Sequence, residues 1–301
     1  MVSTVALEKL QSAYRHWNSD KGSTAEPLFD LMSDDLKFRS IAGGAPDMAF
    51  TRPHSNKEQV KAYFTELARD WQMIFYHVRA FIASGDTVAV VCECSWRHKR
   101  TGKVVHSPKL DIVRFKGDKI ADFFEFFDTE QAIEACRGQA DAENVKLPKP
   151  LYRESGAEVV QGESDESRRN LDLLRKIYQE WHDTRGKSVQ KILDILAPDV
   201  SWGSLAQGAE NLDFTRHSLS KQQVADYFQG LANGFEMNFY RPDEFLAAGD
   251  FVLMIGTCSF KNKATGKTFT TPKADLWRFR DGKAVEFFEY YDTAGILAST
   301  R

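Results

Sequence analysis

The sequence has few of the residues that mark metal-binding, nucleic-acid-binding or membrane proteins. It contains four cysteines and seven histidines in 301 residues, and no Cys-x-x-Cys or Cys/His spacing of the kind that binds zinc. The formal net charge is −3, without the basic surplus that nucleic acid or an anionic membrane attracts. No run of about 18 apolar residues predicts a transmembrane helix. We therefore expect a protein that works without a metal, a cofactor, a nucleic acid or a membrane.

The first residues and the cysteines predict the cellular compartment. Residues 1–8 lack a basic segment and a long apolar segment, so they predict the start of a helix rather than a signal peptide. Cys92 and Cys94 lie two positions apart in a strand-like segment, where they share one face and cannot easily bridge each other. Reduced thiols of this kind favour a cytoplasmic protein.

The most informative pattern in the sequence is a repeat. The pattern L-x-x-L-x-x-x-Y-x-x-W that ends at Trp17 recurs 164 positions later, where it ends at Trp181. The match continues without a gap along the first half of the chain, and about a third of the aligned residues are identical. A period of this length indicates duplicated domains rather than a solenoid. We predict a first domain over residues 1–135, a linker over 136–167 and a second domain over 168–301.

Each copy is predicted to begin with helices and to end with antiparallel strands. Apolar residues at helical spacing predict the first helix, and the capping pair Asn56 and Gln59 predicts the start of the third. Strand-like segments separated by short glycine-containing turns follow. In the first copy the predicted elements are a helix over Leu7–Trp17, a short helix over Leu28–Met32, a strand over Leu36–Ile41, a helix from Asn56, and strands over Trp71–Ala83, Thr87–His98, Lys103–Phe115 and Lys119–Thr129. Helices followed by a run of strands are typical of the α+β class.

This order of elements resembles a known superfamily. A Tyr on the first helix, a penultimate strand with Asp111-x-x-Arg114-Phe115 and a final aromatic strand followed by Asp128 are similar to the SnoaL-like and ketosteroid-isomerase-like families of the nuclear transport factor 2 superfamily. The resemblance covers both copies and implies two cones, each a curved, mainly antiparallel sheet wrapped around helices and enclosing an apolar pocket. Single-copy members commonly dimerise, and the last strand has aromatic residues on both faces. We therefore expect an intramolecular pseudo-dimer, in a monomer that can dimerise further.

The resemblance also implies roles for particular residues. Steroid isomerases hold the substrate oxygen with a Tyr of the first helix and a protonated Asp, which correspond to Tyr14 and Asp111. Their carboxylate base falls at Ser40, and a serine cannot replace it. SnoaL-like cyclases place an acid–base Asp on the last strand, where this sequence has Glu125. The equivalent residues of the second copy are Tyr178, Asp275, Ser204 and Glu289.

Two other activities of the superfamily are disfavoured by the sequence. Members similar to limonene epoxide hydrolase need an Arg-x-Asp, where this sequence has Cys-x-Cys in the first copy and Gly-x-Cys in the second. Dehydratase-like members use a pair of histidines, but no histidine occupies the same place in both copies. The position usual for one of them holds Met73 and Met237.

Strand alternation predicts that the charged residues of each copy share one face. Lys273 and Asp275 lie two apart on the penultimate strand, so both side chains point the same way. A three-residue hairpin loop over 280–282 would place Lys273 opposite Glu289 and Asp275 at a diagonal. A two-residue loop would turn the last strand over and separate these side chains.

We interpret the Lys, Asp and Glu of each copy, with their aromatic neighbours, as an acid–base set on an apolar wall. The predicted catalytic residues are Tyr14, Asp111, Glu125, Tyr178, Asp275 and Glu289. The predicted ligand-binding residues are Trp17, Lys109, Phe123, Phe127, Trp181, Lys273, Phe287 and Tyr291. The alternatives are a structural Lys–Glu ion pair with the Asp as a bystander, and Tyr and Trp side chains that only fill the core.

Three further pairs carry weaker expectations. For Arg52 and Arg216 the sequence leaves open an anion clamp and a solvated or helix-capping role. Ser40 and its counterpart are expected to be structural. The Asp that follows the last strand of each copy, Asp128 or Asp292, is expected to cap the end of that strand.

Two functions from different classes fit these observations. The first is an acid–base isomerase, cyclase or lyase that acts on a small hydrophobic carbonyl or polyketide-like compound. The alternative is a non-catalytic module that binds a hydrophobic small molecule or a partner protein. Whether the carboxylates face an open pocket or close into ion pairs discriminates between them.

Overall fold

The chain forms two compact units. The computed structural model describes residues 1–139, 147–149 and 156–301, and the units are Met1–Val160 and Gln161–Arg301. Each unit combines one sheet with helices, so the predicted α+β class and tandem repeat are confirmed. The predicted pseudo-dimer packing stays a prediction. Among the described helices, none has the length and apolar character needed to cross a bilayer.

The first unit follows the predicted order of elements. Its elements are α1 (Thr4–Ser19), α2 (Glu26–Leu31), β1 (Met32–Ser40), α3 (Lys57–Asp70), β2 (Trp71–Ser84), β3 (Thr87–His98), β4 (Val104–Lys116), β5 (Lys119–Phe126), α4 (Thr129–Ala135) and β6 (Glu158–Gln161). The strand order is β1-β5-β4-β3-β2-β6. Strand β1 runs parallel to β5, whereas the β5-β4, β4-β3 and β3-β2 pairs are antiparallel.

The second unit repeats this plan. Its elements are α5 (Asp165–Asp183), α6 (Val189–Ile195), β7 (Leu196–Ser204), α7 (Lys221–Gly234), β8 (Phe235–Ala248), β9 (Phe251–Asn262), β10 (Thr268–Arg280), β11 (Lys283–Tyr290) and α8 (Thr293–Thr300). The strand order is β7-β11-β10-β9-β8, again with one parallel pair, β7 with β11. Strands that correspond in the sequence repeat therefore occupy corresponding positions in the two sheets.

The chain differs from the predicted elements after the last strand of each repeat. Strand β5 ends at Phe126, and the helix α4 begins three residues later. Asp128 caps this helix, since its carboxylate accepts a hydrogen bond from the Gln131 N–H at 3.1 Å. The expectation that Asp128 caps a strand is therefore wrong, because the segment turns into a helix. The segment between the copies also contains structure, with β6 at the edge of the first sheet and the first residues of α5.

The third helix of each unit is capped as its sequence predicts, with one difference. The Asn56 side chain accepts a hydrogen bond from the Gln59 N–H at 2.9 Å. The Gln59 side chain returns a bond to the N–H of Ser55 at 2.8 Å, one residue before the capping residue. The first of these bonds satisfies an N–H group that a helix start leaves without a partner, and the second holds the residue before the cap. Ser220 and Gln223 make the equivalent contact at the start of α7.

The hairpin between the last two strands has a different register from the predicted one. In the second unit the loop has two residues, Asp281 and Gly282, with φ of 51° and 71°, as a type I′ turn requires. Strand β11 then carries one extra residue at Val285, a β-bulge. A two-residue loop alone would put the side chains of β11 on the opposite faces of the sheet from those predicted. The extra residue of the bulge reverses this change. Asp275 therefore faces Glu289 directly, and the predicted diagonal is wrong by two residues although the shared face is right.

The first helix of each unit fixes the core beneath the sheet. Leu10 and its counterpart Leu174 have no exposed surface, and each belongs to the hydrophobic core of its own unit. Removing a buried leucine side chain costs the transfer free energy of its methyl groups and leaves a cavity.

We expect Leu10→Ala and Leu174→Ala each to lower the free energy of unfolding by about 2–5 kcal/mol, because the cavity cannot collapse fully. Chemical denaturation followed by circular dichroism measures this change. Lys9→Ala is the matched control, since Lys9 lies on the exposed face of the same helix. A loss no larger than that of the control would contradict this account of the core.

Candidate functional site

Each unit contains an apolar cavity lined by residues of its sheet and its helices. The cavity measures about 110 Å³ in the first unit and about 70 Å³ in the second. Seven of the predicted site residues line the first cavity: Tyr14, Trp17, Lys109, Asp111, Phe123, Glu125 and Phe127. Their seven counterparts line the second: Tyr178, Trp181, Lys273, Asp275, Phe287, Glu289 and Tyr291. The structure thus brings all of them together, and their chemical roles stay predictions.

The sheet positions three charged side chains in the wall of the first cavity. Lys109 and Asp111 alternate along β4, and Asp111 pairs directly with Glu125 on β5. Lys109 is 7% exposed, Asp111 1% and Glu125 4%, so all three have left bulk water. Charges at this depth are unfavourable unless they are paired and hydrogen-bonded.

Pairing is complete in the first unit. The Lys109 ammonium donates to Glu125 Oε2 at 2.7 Å and also contacts Asp111 Oδ1. The Tyr14 and Tyr76 hydroxyls both donate to Asp111 Oδ2, each at 2.7 Å. A third hydroxyl, Tyr63, donates to Glu125 Oε1 at 2.9 Å. We call these six residues, three tyrosines with Lys109, Asp111 and Glu125, the polar cluster.

The second unit holds the same polar cluster, formed by Tyr178, Tyr227, Tyr240, Lys273, Asp275 and Glu289. Its lysine has a different position, since Lys273 bonds Glu289 but lies 3.4 Å from Asp275 Oδ1. The buried Oδ1 accepts no hydrogen bond from any residue that the structure describes. The cation of the second cluster therefore favours Glu289 over Asp275.

Sequence reasoning missed two tyrosines in each cluster. Tyr63 lies on α3 and Tyr76 on β2, and both elements precede in sequence the strands that carry the charged residues, β4 and β5. Both recur in the second copy, as Tyr227 and Tyr240. Only about a third of the aligned residues are identical. A tyrosine that recurs at the same position in both copies is therefore a signal that could have identified them.

Comparison with known proteins identifies the family. The SnoaL-like domain model matches residues 10–123 and residues 174–287, one match in each copy, which together span more than half of the chain. The chain belongs to the SnoaL-like family. A comparison with curated proteins returns no match to it.

Solved structures similar to the SnoaL-like domains cover less than half of the chain. A nuclear transport factor 2-like protein from Burkholderia xenovorans LB400 is 21% identical, over 46% of this chain and 100% of its own, with a TM-score of 0.39. Another from Burkholderia pseudomallei K96243 is 23% identical, over 43% of this chain and 95% of its own, with a TM-score of 0.38. A protein with a ketosteroid isomerase-like fold from Catenulispora acidiphila DSM 44928, in complex with trimethylamine, is 18% identical over 42% of this chain and 91% of its own, with a TM-score of 0.36.

Burial and charge set the protonation states in both SnoaL-like domains. Burial, together with Asp111, raises the pKa of Tyr14 well above its ordinary value, so the hydroxyl keeps its proton. Burial alone would lower the pKa of Lys109. The charges of Asp111 and Glu125 raise it by more than burial lowers it, so the pKa lies above its ordinary value. The same balance holds for Lys273. Both lysines therefore remain ammonium ions.

Asp275 differs from an ordinary carboxyl. Burial raises its pKa, Lys273 lowers it, and Glu289 raises it again, with a net increase from 3.8. The hydrogen bonds from Tyr178 and Tyr240 act in the lowering direction and do not reverse the result. The second cluster therefore has a carboxyl, that of Asp275, which keeps its proton to a higher pH than an ordinary aspartate does.

The remaining candidates lie elsewhere or lack the required chemistry. Burial raises the pKa of Cys94 and of Cys258 to about 12, so these thiols on the cavity walls are not nucleophiles. Arg52 pairs with Glu66 at the surface, and Arg216 pairs with Asp213 there, which agrees with solvated residues rather than an anion clamp. Within residues 1–139, 147–149 and 156–301, no three His, Cys, Asp or Glu side chains form a metal-binding group.

The raised pKa of Asp275 predicts a pH-dependent stability. A carboxyl whose pKa is raised in the folded state stabilises that state most below its ordinary pKa, here 3.8, and this contribution is lost as the pH rises through the folded pKa. Asp275→Asn cannot titrate, so the free energy of unfolding of this variant, minus that of the wild type, should increase from acidic to neutral pH. Denaturant titrations at several pH values measure the difference. Asp172→Asn on the exposed face of α5 is the control, and a difference independent of pH would show that the pKa is not raised.

Proposed function

We propose that each SnoaL-like domain is an acid–base site, acting as an isomerase, cyclase or lyase on a small hydrophobic carbonyl compound. The observation that supports this most is the polar cluster itself. Two carboxyls, one ammonium and three tyrosine hydroxyls face an apolar cavity, and all six residues are identical in the two copies. Paired titratable groups with unequal environments are the pattern of acid–base catalysis.

Glu125 and Glu289 are the proposed bases. A carboxylate has roughly four sites that accept hydrogen bonds. Among the described residues, Asp111 accepts three hydrogen bonds, whereas Glu125 accepts two, from Tyr63 and Lys109. Glu125 therefore keeps more free acceptor capacity toward a ligand. The SnoaL-like cyclases, which place their acid–base residue at this position of the last strand, support the same choice.

The donor to the substrate oxygen differs between the copies in this proposal. The pKa of Asp275 is raised, and the proton of this proposal lies on its Oδ1, which accepts no hydrogen bond from the described residues. In the first copy Asp111 Oδ1 is occupied by Lys109, whose ammonium has three protons and two acceptors in the cluster. Its third proton is the donor there. Tyr14 and Tyr178 donate to the Asp of their own copy and so act through it.

The proposed reaction begins with proton transfer from the carbon next to the carbonyl. The glutamate takes the proton, the electron pair of the C–H bond forms the C=C bond of an enolate, and the carbonyl oxygen gains the negative charge. The donor stabilises that charge inside a water-poor cavity. Return of the proton to another carbon gives isomerisation, attack of the enolate carbon on a second carbonyl gives cyclisation, and departure of a leaving group gives elimination.

Hydrogen exchange tests this proposal without knowledge of the natural substrate, because all three reactions begin with the same step. We expect the wild type to accelerate the exchange of α-protons for deuterium in a panel of small hydrophobic ketones and 1,3-diketones, followed by ¹H NMR in D₂O. The double variant Glu125→Gln/Glu289→Gln should lose about 10²–10⁴-fold of that acceleration. The single variants show how the activity divides between the copies.

Glu58→Gln is the control for this experiment, because Glu58 lies at the surface beside Lys61. A wild type that binds a ketone of the panel but exchanges its α-protons no faster than the double variant would rule out this catalysis. That result would favour the alternative, a non-catalytic module for hydrophobic small molecules.

A further inference from the structure

The two cavities share their polar cluster but differ in their walls. Val113 on β4 corresponds to Trp277 on β10, and Phe38 on β1 corresponds to Trp202 on β7. Both replacements put a larger side chain into the second copy. Trp277 lines the second cavity and is 2% exposed.

The larger residues fill space beside the second cluster. The Trp277 ring lies 4.5 Å from the Phe287 ring and 5.7 Å from the Trp202 ring, between centroids. Trp202 in turn stacks on Phe287 at 3.8 Å, whereas the equivalent pair in the first copy, Phe38 and Phe123, stacks at 4.7 Å. The aromatic rings in the wall of the second copy therefore pack more closely on one another.

Three wall differences act in the opposite direction. Trp71, Trp96 and Ile120 line the first cavity, and the second copy has the smaller Phe235, Phe260 and Ala284 at their places. The second cavity is nevertheless the smaller one, at about 70 Å³ against about 110 Å³. The larger residues of the second copy, which include Phe269 and Ile296 in place of Val105 and Ala132 as well as the tryptophans, therefore outweigh the smaller ones.

Trp277 also changes the hydrogen bonding of the cluster. Its Nε1–H donates to the Tyr178 hydroxyl oxygen at 2.9 Å. A valine has no donor, and the Tyr14 oxygen accepts no hydrogen bond from the part of the chain that the structure describes. The Tyr14 oxygen can therefore accept a hydrogen bond from a ligand hydroxyl, whereas the Tyr178 oxygen already accepts one from Trp277.

We propose that the two domains have diverged to bind ligands of different size: the first cavity admits a fused two-ring aromatic ketone, and the second admits a single-ring ketone only. We assign this specificity chiefly to Trp277, because it lines the second cavity and bonds Tyr178, whereas its counterpart Val113 does neither. The proposal takes the carbonyl class of ligand from the proposed function, but it concerns binding and stands whether or not a bound ketone reacts.

Binding stoichiometry tests the proposal with two ketones that differ by one ring, acetophenone and 2-acetylnaphthalene. Equilibrium dialysis of the full chain at saturating ketone measures the number bound per chain. We expect the wild type to bind two molecules of acetophenone but one of 2-acetylnaphthalene. Trp277→Val should bind two molecules of 2-acetylnaphthalene, and Val113→Trp should bind none while still binding acetophenone.

Circular dichroism and thermal unfolding establish that each variant is folded. Trp277→Leu is a second enlarging variant, for use if the valine variant unfolds. The wild-type stoichiometry alone is decisive, because two or no bound molecules of 2-acetylnaphthalene would each overturn the proposal. A folded Trp277 variant that still binds only one would overturn it as well. Failure of the proposed catalysis is separate, since it would appear as binding without α-proton exchange.

Discussion

One buried ammonium shared by two buried carboxyls is the constraint on which each domain depends. Lys109 has a single positive charge, and both Asp111 and Glu125 lie within hydrogen-bond reach of it. Removing one partner of a buried ion pair typically costs about 3–5 kcal/mol, because the other charge is left uncompensated. The two carboxyls therefore require additional donors, and the tyrosines supply them, two to Asp111 and one to Glu125.

This requirement ties the secondary structure of each domain together. The hydroxyls come from α1, α3 and β2, and the carboxyls come from β4 and β5. Each hydroxyl also has a raised pKa from burial, so it donates across the accessible pH range rather than becoming another anion. A network that fixes two helices on the sheet serves the fold and any chemistry at the same time. Recurrence of all six residues in a diverged repeat fits both roles.

Sequence patterns predict the features that depend on periodicity. They do not predict features whose geometry depends on a single residue. The repeat, the helices, the strands and the shared face of Lys273, Asp275 and Glu289 all follow from patterns that extend over many residues. The direct pairing of Asp275 with Glu289 depends on one extra residue at Val285, which no alternation pattern shows. Tyr63 meets Glu125 across 62 positions of chain, a contact between a helix and a strand that local spacing cannot specify.

The position of the ammonium shows how wall residues can tune the chemistry of identical clusters. In the second domain Lys273 lies 4.5 Å from the centre of the Tyr291 ring, which a hydrogen bond between Tyr291 and Ser204 holds in place at 2.7 Å. The first domain has Phe127 at this position, and its lysine contacts both carboxyls. A cation that lies closer to one carboxyl leaves the more distant carboxyl with less compensation, and less compensation raises the pKa of that carboxyl. Ser204, expected to be structural, contacts this arrangement through the Tyr291 hydroxyl.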